Sequence, residues 1–88
     1  MAEKKHLGTI TILVKDRQKA SVDLQKILTE AGHMIMARLG VNPQRACIEH
    51  CTGLVVLVVE GNARDISALA KKIDRIYGIV AKKIMITK

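Results

Sequence analysis

Aromatic side chains are almost missing from this sequence, which has no tryptophan, no phenylalanine and the single tyrosine Tyr77. Its core must therefore be aliphatic, and a surface that stacks nucleic-acid bases has almost no material. Proline occurs once, at Pro43, and marks the segment Val41 to Arg45 as a turn. The only cysteines, Cys47 and Cys51, lie four positions apart. Two so close together are poor material for a stabilising disulfide framework. The longest apolar run, Leu54 to Val59, has six residues, against roughly 18 needed for a membrane span. The start, Met1 to His6, is charged and leads into a strand pattern rather than a signal-peptide core. No membrane association is expected, and the expected location is the cytoplasm.

What the chain does have is aliphatic bulk and positive charge. Hydrophobic residues make up 49% of the 88, and 15 Lys and Arg against 8 Asp and Glu leave a net charge of +7. That balance excludes intrinsic disorder, which combines low hydrophobicity with high charge. The length fits one domain, residues 1–88, with residues 1–5 as a flexible N-terminal segment. A domain of this size buries only about 60–65% of its unfolded surface, so its stability margin is thin.

Hydrophobic periodicity divides the chain into six elements. Leu7 to Val14 reads as a strand with Ile10, Ile12 and Val14 on one face and Leu7, Thr9, Thr11 and Leu13 on the other. Lys15 to Lys19 reads as a polar connection. A helix is predicted over Ser21 to Ala31, where Leu24, Ile27, Leu28 and Ala31 recur at helical spacing and Gly32 stops it. His33 to Gly40 reads as a second strand and Thr52 to Glu60 as a third. Ala63 to Tyr77 gives the clearest helical stripe, with Ile66, Leu69, Ala70, Ile73, Ile76 and Tyr77 aligned and Gly78 closing it. Ile79 to Thr87 completes the series, with Val80, Ile84 and Ile86 alternating against Ala81, Lys83 and Met85.

The order βαββαβ predicts an α+β, ferredoxin-like fold: a four-stranded antiparallel sheet with both helices on one face. A two-layer arrangement should give strands that alternate apolar and polar residues. The third strand does not, because both Leu54/Val56/Val58 and Val55/Leu57/Val59 are apolar. With Leu7 and Leu13 added, the sheet face without helices should be an apolar patch, which predicts a homodimer or homotetramer.

One cluster carries ligand chemistry: Cys47-Ile48-Glu49-His50-Cys51. Thiolate and imidazole suit zinc, iron or nickel, so Cys47, His50 and Cys51 are candidate ligands of a transition metal. A fourth ligand would have to come from Glu49, His33 or a second subunit. The alternatives are a redox-sensing thiol pair, favoured by nearby Arg45, and two ordinary cysteines at the start of a buried strand. Arg38 and Arg45 are candidate ligand-binding residues as cations toward an anionic effector. The sequence shows no phosphate loop, no catalytic triad and no supported carboxylate pair, so no enzyme activity is expected.

The charge of +7 would attract phosphate, which keeps a basic nucleic-acid-binding accessory protein as an alternative. Its cations are dispersed, however, at Lys4-Lys5, Arg17-Lys19, Lys71-Lys72-Arg75 and Lys82-Lys83. With no aromatics on Thr9, Thr11, Val56 or Leu57 of the central strands, specific recognition of nucleic acid is not expected.

Three stretches are also similar to a known family: Ile35 to Val41 (IMARLGV), Val58 to Leu69 (VVEGN followed by DISAL) and Gly78 to Lys82 (GIVAK). Together with the βαββαβ order they resemble the iron-only hydrogenase system regulators, a family of small bacterial proteins. The resemblance spans Leu7 to Ile86 and implies an ACT-like domain related to the C-terminal sensing domain of nickel-responsive repressors. Such domains assemble through their sheets and bind small effectors or metals at subunit boundaries. The loop Asp16 to Ser21 has no glycine of the kind that amino-acid-binding ACT domains place there. Met34 and Met36 stand near His33 where the nickel repressors carry a His-X-His pair. The resemblance thus implies a non-catalytic regulatory module with a small-molecule effector, one that acts through a partner protein because the chain carries no ribbon-helix-helix segment.

Overall fold

Alternating β-branched residues at the start of the chain and two runs of helical periodicity produce all six elements. The computed structural model describes residues 5–15, 17–41 and 53–87, with the backbone alone at 17–21. In order these are β1 (His6–Val14), α1 (Arg17–Glu30), β2 (Ile35–Val41), β3 (Gly53–Gly61), α2 (Ala63–Asp74) and β4 (Ile79–Met85). The four strands form one antiparallel sheet in the order β2-β3-β1-β4. This is the α+β, ferredoxin-like arrangement anticipated from the element order.

Register decides which residues share a face. Along β1 and β3, Ile10 pairs with Leu57, Ile12 with Val55 and Gly8 with Val59. This set faces the helices, and Ile10, Ile12, Leu57 and Val59 are fully buried. Leu24 and Leu28 of α1 and Ile66, Leu69, Ala70 and Ile73 of α2 close over it. Each aliphatic side chain removed from water this way contributes about 1.5–3 kcal/mol. Gly8 belongs to this face, where a Cβ would approach the Ile84 carbonyl oxygen to 2.9 Å. Only glycine allows β1 and β4 to lie that close.

The helix ends have identifiable causes. Asn62 caps α2 by accepting the Asp65 N–H at 2.7 Å, and its amide donates back to the Asp65 carboxylate at 3.0 Å. At the other end Gly78 takes φ of +80°, a left-handed value that side chains disfavour. The helix itself has already ended at Asp74, with Arg75 as its C-cap, three residues earlier than the apolar stripe suggests. Tyr77 is consequently 93% exposed rather than part of the buried stripe. The Asp74 carboxylate accepts the Ala81 N–H at 2.8 Å and ties the helix end to β4.

Other elements also depart from expectation. α1 begins at Arg17 instead of Ser21, because Arg, Gln and Lys are good helix formers and prolong the helix backward through the polar connection. β2 begins at Ile35, after a turn held by Met34 N–H to Ala31 and Ile35 N–H to Gly32, and runs on to Val41. A bulge between Ile35 and Ala37 breaks its simple alternation. Met34 is in the core while Met36 is 61% exposed. In β4 the core residues are Ile79 and Ala81, so the apolar series Val80 and Ile84 lies on the opposite side of the sheet.

Candidate functional site

The sheet face without helices is lined mainly by apolar side chains. Directly paired residues point to the same side, so the three registers assign its rows. One row is Val41, Leu54, Leu13 and Val80; the next is Leu39, Val56, Thr11 and Lys82; a third is Ala37, Val58, Thr9 and Ile84. The only charge in these three rows is that of Lys82. Leu39 and Ile84 are 62% and 59% exposed. Leu7 and Leu13 lie here as the sequence suggested, whereas Leu57 points to the helices.

Arg38 is on the other side of β2. It pairs with the buried Leu57, which places it on the helix side. Its Nη1 donates to Gln25 Oε1 of α1 at 3.1 Å, and the side chain is exposed. Gly40, two residues on, shares this side, and among the described residues nothing lies within 4 Å of where a Cβ would stand. The result is a guanidinium held by one arm beside an open notch. Gln25 had no signal in the sequence as a partner for Arg38, since only the packing of α1 beside β2 brings them together.

The remaining candidates, Arg45, Cys47, His50 and Cys51, lie outside the described residues, as does Glu49. Among the described residues no group of three or more His, Cys, Asp and Glu is placed to hold a metal ion. His33 is exposed, and His6 Nδ1 is 3.0 Å from the Thr87 carbonyl oxygen.

Among the described residues two clefts flank the helices, and a smaller one lies between α2 and β4. One of about 470 Å³ at the start of α2 is lined by Lys5, His33, Glu60, Asn62, Arg64 and Asp65. The other, about 480 Å³, runs between the helices past Lys26, Glu30, Lys72, Arg75 and Tyr77. Both mix charges of either sign and are partly bridged already. Lys5 is 4.0 Å from Glu60 in the first cleft, and Lys72 is 3.4 Å from Glu30 in the second. Exposed pairs of this kind contribute about 0–1 kcal/mol. No helix of the described residues is long and apolar enough to cross a membrane.

Comparison with known proteins places these features. No curated protein matches the chain. The structure of the uncharacterized protein TM1266 from Thermotoga maritima superimposes with a TM-score of 0.83 at 28% identity, covering 96% of this chain and 100% of that one. CPII, a nitrogen regulatory PII-like protein from Thiomonas intermedia K12 bound to ADP, AMP and bicarbonate, matches at a TM-score of 0.49 and 13% identity, over 94% of this chain and 98% of that one. The model of the family described as "TM1266-like: Iron-only hydrogenase system regulator, putative" matches residues 6–83. The chain belongs to this TM1266-like family.

Proposed function

We propose that the chain is a non-catalytic regulatory module that assembles with copies of itself through the bare sheet face and takes a small ligand near the subunit boundary. The observation that carries this reading is the row Val41, Leu54, Leu13 and Val80, apolar across all four strands on the side away from the helices. Water contact over such a surface is unfavourable, and large exposed apolar patches mark interfaces. Four strands about 4.8 Å apart and seven residues long at about 3.3 Å give a footprint of roughly 450 Å². Two copies together reach roughly 900 Å² before side-chain relief is counted, close to the ~1,000 Å² of the smaller specific interfaces. The regulator description of the family agrees with a module of this kind.

Native mass spectrometry of untagged protein, purified anaerobically without chelator, tests the reading. The expected species is a dimer or tetramer, and Val56→Lys should convert it to monomer while circular dichroism stays unchanged. A wild-type monomer, or a Val56→Lys variant of unaltered mass, would refute the face-to-face assembly. The same spectra weigh any bound metal, and Cys47→Ser with Cys51→Ser tests whether the cysteines hold it.

A further inference from the structure

The outer edge of β4 already holds one anionic group, and its geometry shows where a second would sit. The Asp74 carboxylate of α2 reaches that edge and accepts the Ala81 N–H at 2.8 Å. Residues of an antiparallel strand alternate between those bonded to the neighbouring strand and those turned away from it. Ala81 is turned away from β1, as is Ile79, whose N–H donates to the Ile76 carbonyl at 3.1 Å. The same alternation directs the Lys83 N–H outward, two residues beyond the one that Asp74 takes. Among the described residues no backbone carbonyl accepts it.

At this point along the edge the charge becomes positive. The small cleft between α2 and β4, about 180 Å³, is lined by Ser67, Lys71 and Asp74 of the helix and by Ala81, Lys82 and Lys83 of the strand. Ser67, Lys71 and Asp74 recur at helical spacing, so a single face of α2 supplies them. Lys83 pairs with the buried Ile10, which places its side chain on the helix side too. Three ammonium groups therefore stand against one carboxylate, and that carboxylate is already engaged by a backbone N–H. The ion pairs Lys5–Glu60 and Lys72–Glu30 lie in the two larger clefts. Like charges gathered this way repel, and a bound anion relieves the repulsion.

We propose that this cleft is a phosphate site. The Lys83 N–H and the Ser67 hydroxyl donate to the phosphate oxygens, Lys71 and Lys83 supply the charge, and Lys82 stands at the rim. A phosphate group offers three acceptor oxygens and close to two negative charges, which matches this set of donors better than a carboxylate does. The cleft is smaller than the roughly 300–1,000 Å³ of pockets that enclose a whole organic ligand. It therefore suits a single anionic group, either free phosphate or the phosphate end of a small metabolite. Every group it uses comes from one chain, so the inference goes beyond the assembly reading and does not depend on it.

The test is amide NMR of the full chain at low ionic strength, titrated with inorganic phosphate and separately with glycerol 3-phosphate. Sodium chloride at matched ionic strength is the reference. The Lys83 amide proton should move downfield and saturate with at least one of the two phosphates, and chloride should not reproduce the shift. The tighter of the two tells free phosphate from a metabolite end group. Lys71→Gln with Lys83→Gln should weaken binding by at least about tenfold. Lys26→Gln removes one charge from the cleft between the helices and should change it by less than about twofold. Val56→Lys should bind like the wild type. No saturable shift with either phosphate, an equal shift with chloride, or shifts centred on residues of another cleft would overturn the site. Equal weakening by Lys26→Gln would reduce it to general charge attraction. Loss of binding in Val56→Lys would overturn its placement within one chain. The wild-type amide shift needs no variant, so the proposal stays testable should the double substitution fail to fold.

Discussion

Strand β3 carries two nearly identical sets of side chains with opposite fates. Val55, Leu57 and Val59 turn toward the helices, and the last two of them are fully buried. Leu54, Val56 and Val58 turn the other way and are only partly buried, as is Val55. Composition cannot account for the difference, since either set would serve as a core. Coverage does, because two helices lie over one face and, among the described residues, none over the other. The fold accounts for the apolarity of the first set, and the assembly proposed above would account for that of the second.

Substitutions in adjacent residues can break or sharpen this contrast. The largest effect should come from Leu57→Ala, which opens a cavity among the buried aliphatic side chains and should cost about 2–5 kcal/mol in urea unfolding, at every protein concentration. Val59→Thr keeps the shape but buries a hydroxyl without a partner, at about 1–3 kcal/mol by the same measurement. Next comes Asn62→Ala, which removes the cap of the covering helix and should lower stability by about 1 kcal/mol. Val58→Thr is the matching change one residue from Val59 and should alter stability by less than about 0.5 kcal/mol in dilute solution. If Val58→Thr proved as damaging as Val59→Thr under dilute conditions, the two faces would be equivalent in the isolated chain and the comparison would fail. At higher concentration the wild type should gain apparent stability by mass action, and the Val58→Thr variant should gain less.

The elements with a single clear period were legible from sequence. β1 alternates cleanly and α2 carries its stripe, so their faces follow from local chemistry. β3 was legible as a strand, but its face was not, because both sides are apolar and only pairing with β1 separates Leu57 from Val56. The alternation of Val80 and Ile84 against Ala81 and Lys83 did not say which side of β4 is buried; the sheet pairing puts Ile79 and Ala81 in the core. Tyr77 extended the helical stripe on paper, but α2 ends at Asp74 with Arg75 as its cap, which leaves Tyr77 outside the helix. Of the candidate site residues, Arg38 was legible as an exposed cation, but its partner Gln25 required the approach of α1 to β2. Arg45, Cys47, His50 and Cys51 remain readings of the sequence.

The strand order has a consequence for how the chain comes to be folded. β1 pairs with β3 and β4 and with no strand in between. During synthesis, His6–Val14 therefore has no sheet neighbour until Gly53–Gly61 has emerged, and no second one until Ile79–Met85 follows. Most of the ordering entropy must be met before these distant contacts form, which slows folding relative to a chain of local contacts. The first-made strand waits for the last, so loss of β4 would leave β1 an open edge and the whole sheet unfinished.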